Sequence, residues 1–77
     1  MILNSKETVA WLREQFPEKT RVELVQMDDP YTKLKPGDRG NVDHVDDAGG
    51  IHIQWDNGSG LAAVWGEDVI KIVEVPV

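Results

Sequence analysis

The clearest strand and turn pattern in the chain is Ile51-His52-Ile53-Gln54-Trp55-Asp56-Asn57-Gly58. Its first five residues alternate between apolar and polar side chains, the pattern of a β-strand with one buried face. Ile51, Ile53 and Trp55 are therefore predicted to face the core. The Asp-Asn-Gly sequence that follows is typical of a tight hairpin, because such turns need positive φ angles that Asn and Gly adopt readily. The segment thus predicts an antiparallel hairpin.

Four further strands are predicted around this one, each from alternating or β-branched residues between turn signals. Proline and glycine mark the breaks, because proline cannot donate to a ladder and glycine adopts positive φ. Residues 46–50 suit a tight hairpin with a glycine at positive φ, whereas residues 28–37 predict a long irregular loop. The first of these four strands is expected to begin at Arg21, and the other three are expected to span residues 39–45, 61–65 and 69–75.

The N-terminal residues carry the helical pattern of the chain. The apolar residues that share one face of this helix are Val9, Leu12 and Phe16. We predict that the helix begins near Asn4 or Ser5 and stops before Pro17, because proline disfavours helical geometry in the residue that precedes it. Trp11 lies roughly 200° around the helix from the start of the stripe. It is expected to pack at an edge or to anchor a partner.

The length of 77 residues fits one small domain. Short strands, closely spaced over about 55 residues, favour a closed antiparallel architecture. The predicted fold class is mainly β, with a short N-terminal α-helix followed by a five-stranded antiparallel SH3-like barrel. We expect residues 1–77 to form a single domain, with the helix in residues 1–17 and the barrel in residues 19–75.

The composition limits the possible functions. Fourteen acidic and eight basic residues give a formal net charge of −6, which repels nucleic-acid backbones and anionic lipid. The absence of cysteine excludes disulfides and thiolate zinc sites. A domain this small buries too little surface for a deep active site, and no catalytic triad or phosphate-binding loop can be assembled. We expect a cytoplasmic protein with no enzymatic activity, no cofactor and no membrane segment.

Several short motifs occur in order along the chain. They are RVEL at residues 21–24, MDDPY at 27–31, PG at 36–37, G-x-V at 40–42, VDDAG at 45–49, WDNG at 55–58 and G-x-D at 66–68. In this combination the sequence resembles the domain of unknown function 4314 family, which comprises small proteins of bacteria, phages and mobile elements. The resemblance implies a cytoplasmic setting and no particular reaction. Lys19 stands where the family pattern has glycine, at the start of the first strand.

A more distant similarity is to small SH3-like barrels. The motif G-x-x-G-x-V at residues 37–42, with the strand and WDNG turn that follow, is similar to KOW-type modules and to Mind-bomb-type domains. The first group binds nucleic acid or ribosomal and transcription proteins, and the second binds peptides. The similarity therefore implies two classes of partner.

Five residues are candidates for a ligand site. Asp28 and Asp29 offer a carboxylate pair beside the aromatic ring of Tyr31, although an Asp-Pro sequence also starts a capped turn. Asp56 belongs to the hairpin turn or borders an aromatic groove. Trp65 packs in the core or anchors a partner. The leading hypothesis is a protein- or peptide-binding barrel, in which the acidic rim beside these aromatic rings suits a basic or proline-containing ligand.

Two other classes of function stay open. Lys33, Lys35 and Arg39 form the basic cluster of the chain, and they predict an accessory nucleic-acid-binding module or else a solvated loop. Their few phosphate contacts would give weak, salt-dependent binding. The third hypothesis is a self-associating structural subunit, because the β-branched C-terminal strand is suited to being covered by a second copy.

Two histidines on neighbouring predicted strands raise the question of a metal site. His44 and His52 are expected to approach each other in a hairpin, but no third ligand is fixed beside them. Counted from Asp43, the glycine and glutamate positions of a calcium loop are occupied by Ala48 and Gln54. We therefore predict no metal site and interpret both histidines as solvated or partly covered strand residues, with pH sensing as the alternative.

Overall fold

The computed structural model describes residues 5–27 and 32–76, and it begins with a helix. Helix α1 (Lys6–Gln15) is capped by Ser5, whose hydroxyl accepts a hydrogen bond from the backbone N–H of Thr8. This cap satisfies one of the free N–H groups of the first turn. The helix ends at Phe16, before the proline, as the sequence predicts. Asn4, the other predicted start, lies outside the described residues.

Five antiparallel strands follow the helix, in agreement with the predicted mainly β class. They are β1 (Arg21–Gln26), β2 (Arg39–Val45), β3 (Gly50–Trp55), β4 (Ala63–Val64) and β5 (Val69–Glu74). Their order across the sheet is β4-β3-β2-β1-β5, so each strand except β5 lies beside its neighbour in sequence. The two hairpin turns have glycines at positive φ, Gly49 at 86° and Gly58 at 91°. Both turns were predicted from these glycines.

The predicted closure into a barrel is not found among the described residues. The sheet has two edges, β4 and β5, and β4 pairs with β3 over two residues only. The predicted strand at residues 61–65 is therefore longer than the observed one. Its first residues leave the ladder where the indole N–H of Trp55 donates to the backbone carbonyl of Leu61 at 2.8 Å. A two-residue strand presents too few backbone groups to bridge the opening.

The hydrophobic core lies between α1 and one face of the sheet. The predicted helix stripe is buried there, together with inward-facing strand residues that include Val22, Leu24, Val42, Ile51, Ile53 and Trp55. The alternation that predicted these strand faces is confirmed. The described residues contain one helix, α1, and it is not long and apolar enough to cross a membrane.

The residue at the start of the first strand has an unusual backbone conformation. Lys19 has a φ of 75°, the left-handed region that side chains with a Cβ rarely adopt. Its N–H donates to the carbonyl of Val42 at 2.8 Å, which ties this turn to β2. Glycine would adopt this positive φ without the steric penalty that the Cβ of lysine incurs.

Candidate functional site

An aromatic cluster joins the helix to the turn between β4 and β5. Trp11 is 44% exposed, and its ring centroid lies 5.3 Å from that of Trp65 in an edge-to-face arrangement. Trp65 is half-buried and also packs against Phe16, at a centroid distance of 5.9 Å. Edge-to-face pairs at such distances are stabilising. Trp65 is thus both a core neighbour and part of the surface, and its predicted role as an anchor for a partner stays a prediction.

An open groove of about 300 Å³ adjoins this cluster. It is lined by Trp65, Gly66, Asp68, Val69 and Ile70. Val69 is 48% exposed, whereas Ile70 is buried and forms the apolar floor. We call the two indole rings of Trp11 and Trp65, together with the exposed Val69, the aromatic surface. The pocket that Trp65 and Val69 line is called the groove.

The groove wall is held by a tight turn with its own hydrogen bonds. The N–H groups of Glu67 and Asp68 donate to the carbonyl of Val64 at 3.0 and 2.8 Å. In return, the Asp68 carboxylate accepts the N–H of Val64 at 2.8 Å. Gly66, with a φ of 96°, allows the chain to reverse. The turn therefore presents Trp65 and Asp68 on a defined backbone rather than on a loose loop.

From the sequence, Trp11 lies outside the buried stripe and is expected to pack at an edge or to anchor a partner. Its position there was the signal that it is exposed, but the sequence does not show that it meets Trp65. Three predicted site residues, Asp28, Asp29 and Tyr31, lie outside the described residues. The observed groove is formed instead by the turn between β4 and β5 and the first residues of β5, and the helix reaches it only through the contact of Trp11 with Trp65.

Asp56 is engaged in an ion pair and does not line the groove. Its carboxylate accepts hydrogen bonds from both terminal guanidinium nitrogens of Arg21, the one from Nη1 at 2.8 Å. These hydrogen bonds hold the pKa of Asp56 below its usual value and raise the pKa of Arg21. Arg21 precedes the buried Val22 and so projects from the sheet face that α1 leaves uncovered. The structure therefore does not bring Asp56 together with Trp65 in the groove.

The basic cluster is divided in the structure. Arg39 donates to the Glu23 carboxylate at 2.9 Å, and Lys71 approaches the same carboxylate at 3.2 Å. These two hydrogen bonds lower the pKa of Glu23. Lys33 and Lys35 are exposed in the segment before β2. Because one of the three predicted phosphate contacts is already paired with a carboxylate, the nucleic-acid hypothesis stays a prediction that no contact favours.

The two histidines meet as the hairpin predicts. His44 and His52 are direct cross-strand partners, and their rings stack with centroids 4.3 Å apart. Each ring also contacts a carboxylate, Asp43 for His44 at 2.9 Å and Asp46 for His52 at 2.8 Å. Within residues 5–27 and 32–76 no group of three or more His, Asp or Glu side chains is arranged to hold a metal ion.

Comparison with known proteins assigns the chain to a family without assigning a function. The family described as "Domain of unknown function (DUF4314)" matches residues 5–73, which include α1 and nearly all of β5. No curated protein and no solved structure matches the chain. The match extends over most of the 77 residues. The chain therefore belongs to the DUF4314 family.

Proposed function

We propose that the chain is a non-enzymatic module that binds a protein or peptide segment at the aromatic surface and in the groove. The observation that carries this proposal is the half-exposed Trp11 in contact with Trp65, which itself lines the groove. Tryptophan dominates the energetics of many interfaces because it buries a large apolar area with few rotatable bonds. An exposed tryptophan pair that continues into an apolar groove is the kind of surface that a partner covers.

The finer fold proposal is that the sheet is an opened SH3-like barrel. The pairing of β1 supports this proposal. This strand pairs with β2 at its first three residues and with β5 along its length, so it connects two parts of the sheet. The β1–β5 ladder has two register shifts and the β2–β3 ladder has one. Such irregularities bend strands and allow a sheet to turn a corner.

The proposal predicts that Trp11→Ala weakens binding without unfolding the protein. A peptide would be selected against the parent chain from a random library, labelled, and titrated by fluorescence anisotropy. We expect the variant to bind at least about fivefold more weakly, because an interface tryptophan commonly contributes more than about 1 kcal/mol. Circular dichroism checks that the fold is retained, which we expect since Trp11 is half-exposed and lies outside the buried core cluster.

Val75→Ala is the matched control, because Val75 is 65% exposed and lies beyond β5. It should bind the selected peptide as the parent does. If folded Trp11→Ala binds the peptide as tightly as the parent, the aromatic surface is not the binding site and the proposal fails.

A second candidate function is self-association through the free edge of β5. This strand pairs only with β1, and no described residue forms a backbone hydrogen bond with its other edge. The other sheet edge, β4, is two residues long, and an Asp68 carboxylate caps the N–H of Val64 there. Exposed β-branched side chains lie along β5, including Val69, Ile72 and Val73. A long, apolar edge strand is suited to antiparallel pairing with a second copy.

Sedimentation equilibrium over a range of concentrations tests this candidate. We expect the average mass of the parent to rise with concentration and to rise further with salt, because two copies that each carry a net charge of −6 repel one another at low salt. Val73→Lys should keep the chain monomeric. Leu61→Lys, at a similarly exposed site outside β5, should associate like the parent. A parent chain that stays monomeric at all concentrations would exclude the candidate.

A further inference from the structure

Two glutamates share the exposed face of α1 with Trp11. Glu7 lies four residues before Trp11 and Glu14 three residues after it, and both are exposed. Residues at these spacings are neighbours on a helix surface. The exposed indole of Trp11 is therefore bordered by a carboxylate on each side along the helix.

The turn on the other side of the aromatic contact is also acidic. Glu67 is exposed in this turn, directly after the glycine that follows Trp65. Asp68 lines the groove itself. The aromatic surface consequently lies between two acidic pairs, one on the helix and one on the turn.

The cations nearest to these acids in sequence point elsewhere. Lys6 and Arg13 line a separate pocket with Val9 and Asp47, and Arg13 pairs with the carboxylate of Asp47 at 2.8 Å. Lys71 is directed to Glu23 on the sheet face that α1 leaves uncovered. Among the residues that the structure describes, none of these three cations forms an ion pair with Glu7, Glu14 or Glu67.

We infer that the segment bound at the aromatic surface is cationic, with an arginine or lysine whose charged head packs on Trp11 between Glu7 and Glu14. This inference rests on the proposed function and specifies the partner. A cation over an indole ring is attracted by the negative face of the ring, and flanking carboxylates add charge-assisted hydrogen bonds. The net charge of −6 also accelerates encounter with a positively charged segment.

The test uses a short proline-rich peptide that carries three arginines, with versions in which glutamine or glutamate replaces them. Each is labelled and titrated against the full chain by fluorescence anisotropy. We expect the arginine peptide to bind about tenfold more tightly than the glutamine peptide and the glutamate peptide to bind more weakly still. Raising the salt to about 0.15 M should narrow the difference, because exposed charges are screened.

The double variant Glu7→Gln, Glu14→Gln tests whether these two carboxylates recognise the cation. It should bind the arginine peptide about fivefold more weakly than the parent does and leave the glutamine peptide unchanged. Glu18→Gln is the matched control, since Glu18 is an exposed carboxylate beyond the end of α1. It should match the parent with every peptide.

The outcomes separate this inference from the proposed function. If the parent binds the arginine and glutamine peptides equally, and Trp11→Ala weakens both, the cationic partner is wrong and the binding surface stands. If the double variant binds the arginine peptide like the parent, Glu7 and Glu14 do not recognise the cation and the inference is overturned. If none of the three peptides binds although a library-selected peptide does, the inference is overturned and the binding surface stands. If Trp11→Ala binds every peptide like the parent, the proposed function itself fails.

Discussion

Replacing Gly40 with alanine is expected to remove about 3 kcal/mol from the free energy of unfolding, the upper part of the range for overpacking a core. A Cβ at this position would lie 2.6 Å from Cγ2 of Ile53, 2.7 Å from the carbonyl oxygen of Gln54 and 2.8 Å from Cα of Trp55. Two of these atoms belong to the backbone of β3, so they cannot move aside as a side chain does. The added methyl group must therefore separate β2 from β3.

The measurement is urea unfolding followed by circular dichroism, with the parent and variant compared by their midpoints. A small domain has a total stability of only about 5 kcal/mol, so Gly40→Ala is expected to leave much of the chain unfolded near 37 °C. Gly60→Ala is the matched control, because no atom lies within 4 Å of its added Cβ. It should be as stable as the parent, and an equal loss in both variants would contradict the steric explanation.

The strand faces could be predicted from the sequence because they depend on local alternation. Ile51, Ile53 and Trp55 repeat every second residue, and a strand turns every second side chain to the same face. The same local signal could not show how long β4 is. Where β4 begins, the indole of Trp55 donates a hydrogen bond to the carbonyl of Leu61, a side-chain contact that alternation does not reveal. Closure of the sheet depends on contacts between residues far apart in the sequence.

The candidate site was harder to predict than the fold for the same reason. Periodicity places Trp11 outside the buried stripe, but only the packing of α1 on the sheet brings it to Trp65. Likewise, the sequence contains seven glycines and does not distinguish Gly40, where an added Cβ would clash with the neighbouring strand, from Gly60, where it would meet no atom within 4 Å. Residues whose role is set by a neighbour far along the chain leave no local pattern.

Replacing Asp46 with alanine is expected to lower the free energy of unfolding by about 2 kcal/mol at neutral pH. Oδ1 of Asp46 accepts the N–H groups of Ala48 at 2.9 Å and Gly50 at 2.8 Å, which closes the turn between β2 and β3. Its Oδ2 lies 2.8 Å from Nε2 of His52. Hydrogen bonds to a charged acceptor are strong, although 37% exposure of the side chain lets water replace part of the loss.

Acid should weaken the same turn. The hydrogen bond with His52, followed by the one from Gly50, lowers the pKa of Asp46 below its usual 3.8. A carboxyl whose pKa is lowered by folding adds stability that is fully present above its ordinary pKa and is lost as the pH falls through the lowered value. The difference in unfolding free energy between the parent and Asp46→Ala should therefore shrink below about pH 3.8.

Urea unfolding of the parent and of two variants across this pH range separates the carboxylate of Asp46 from the general effect of acid. Asp46→Asn retains an oxygen acceptor for the turn and should recover part of the stability at neutral pH, but without the pH-dependent part. Asp47→Ala removes a fully exposed carboxylate that pairs with Arg13, so it should cost little. If Asp47→Ala lowers the free energy of unfolding as much as Asp46→Ala does, the effect comes from removing any negative charge in this turn. The hydrogen bonds of Asp46 would then not be what holds β2 and β3 together.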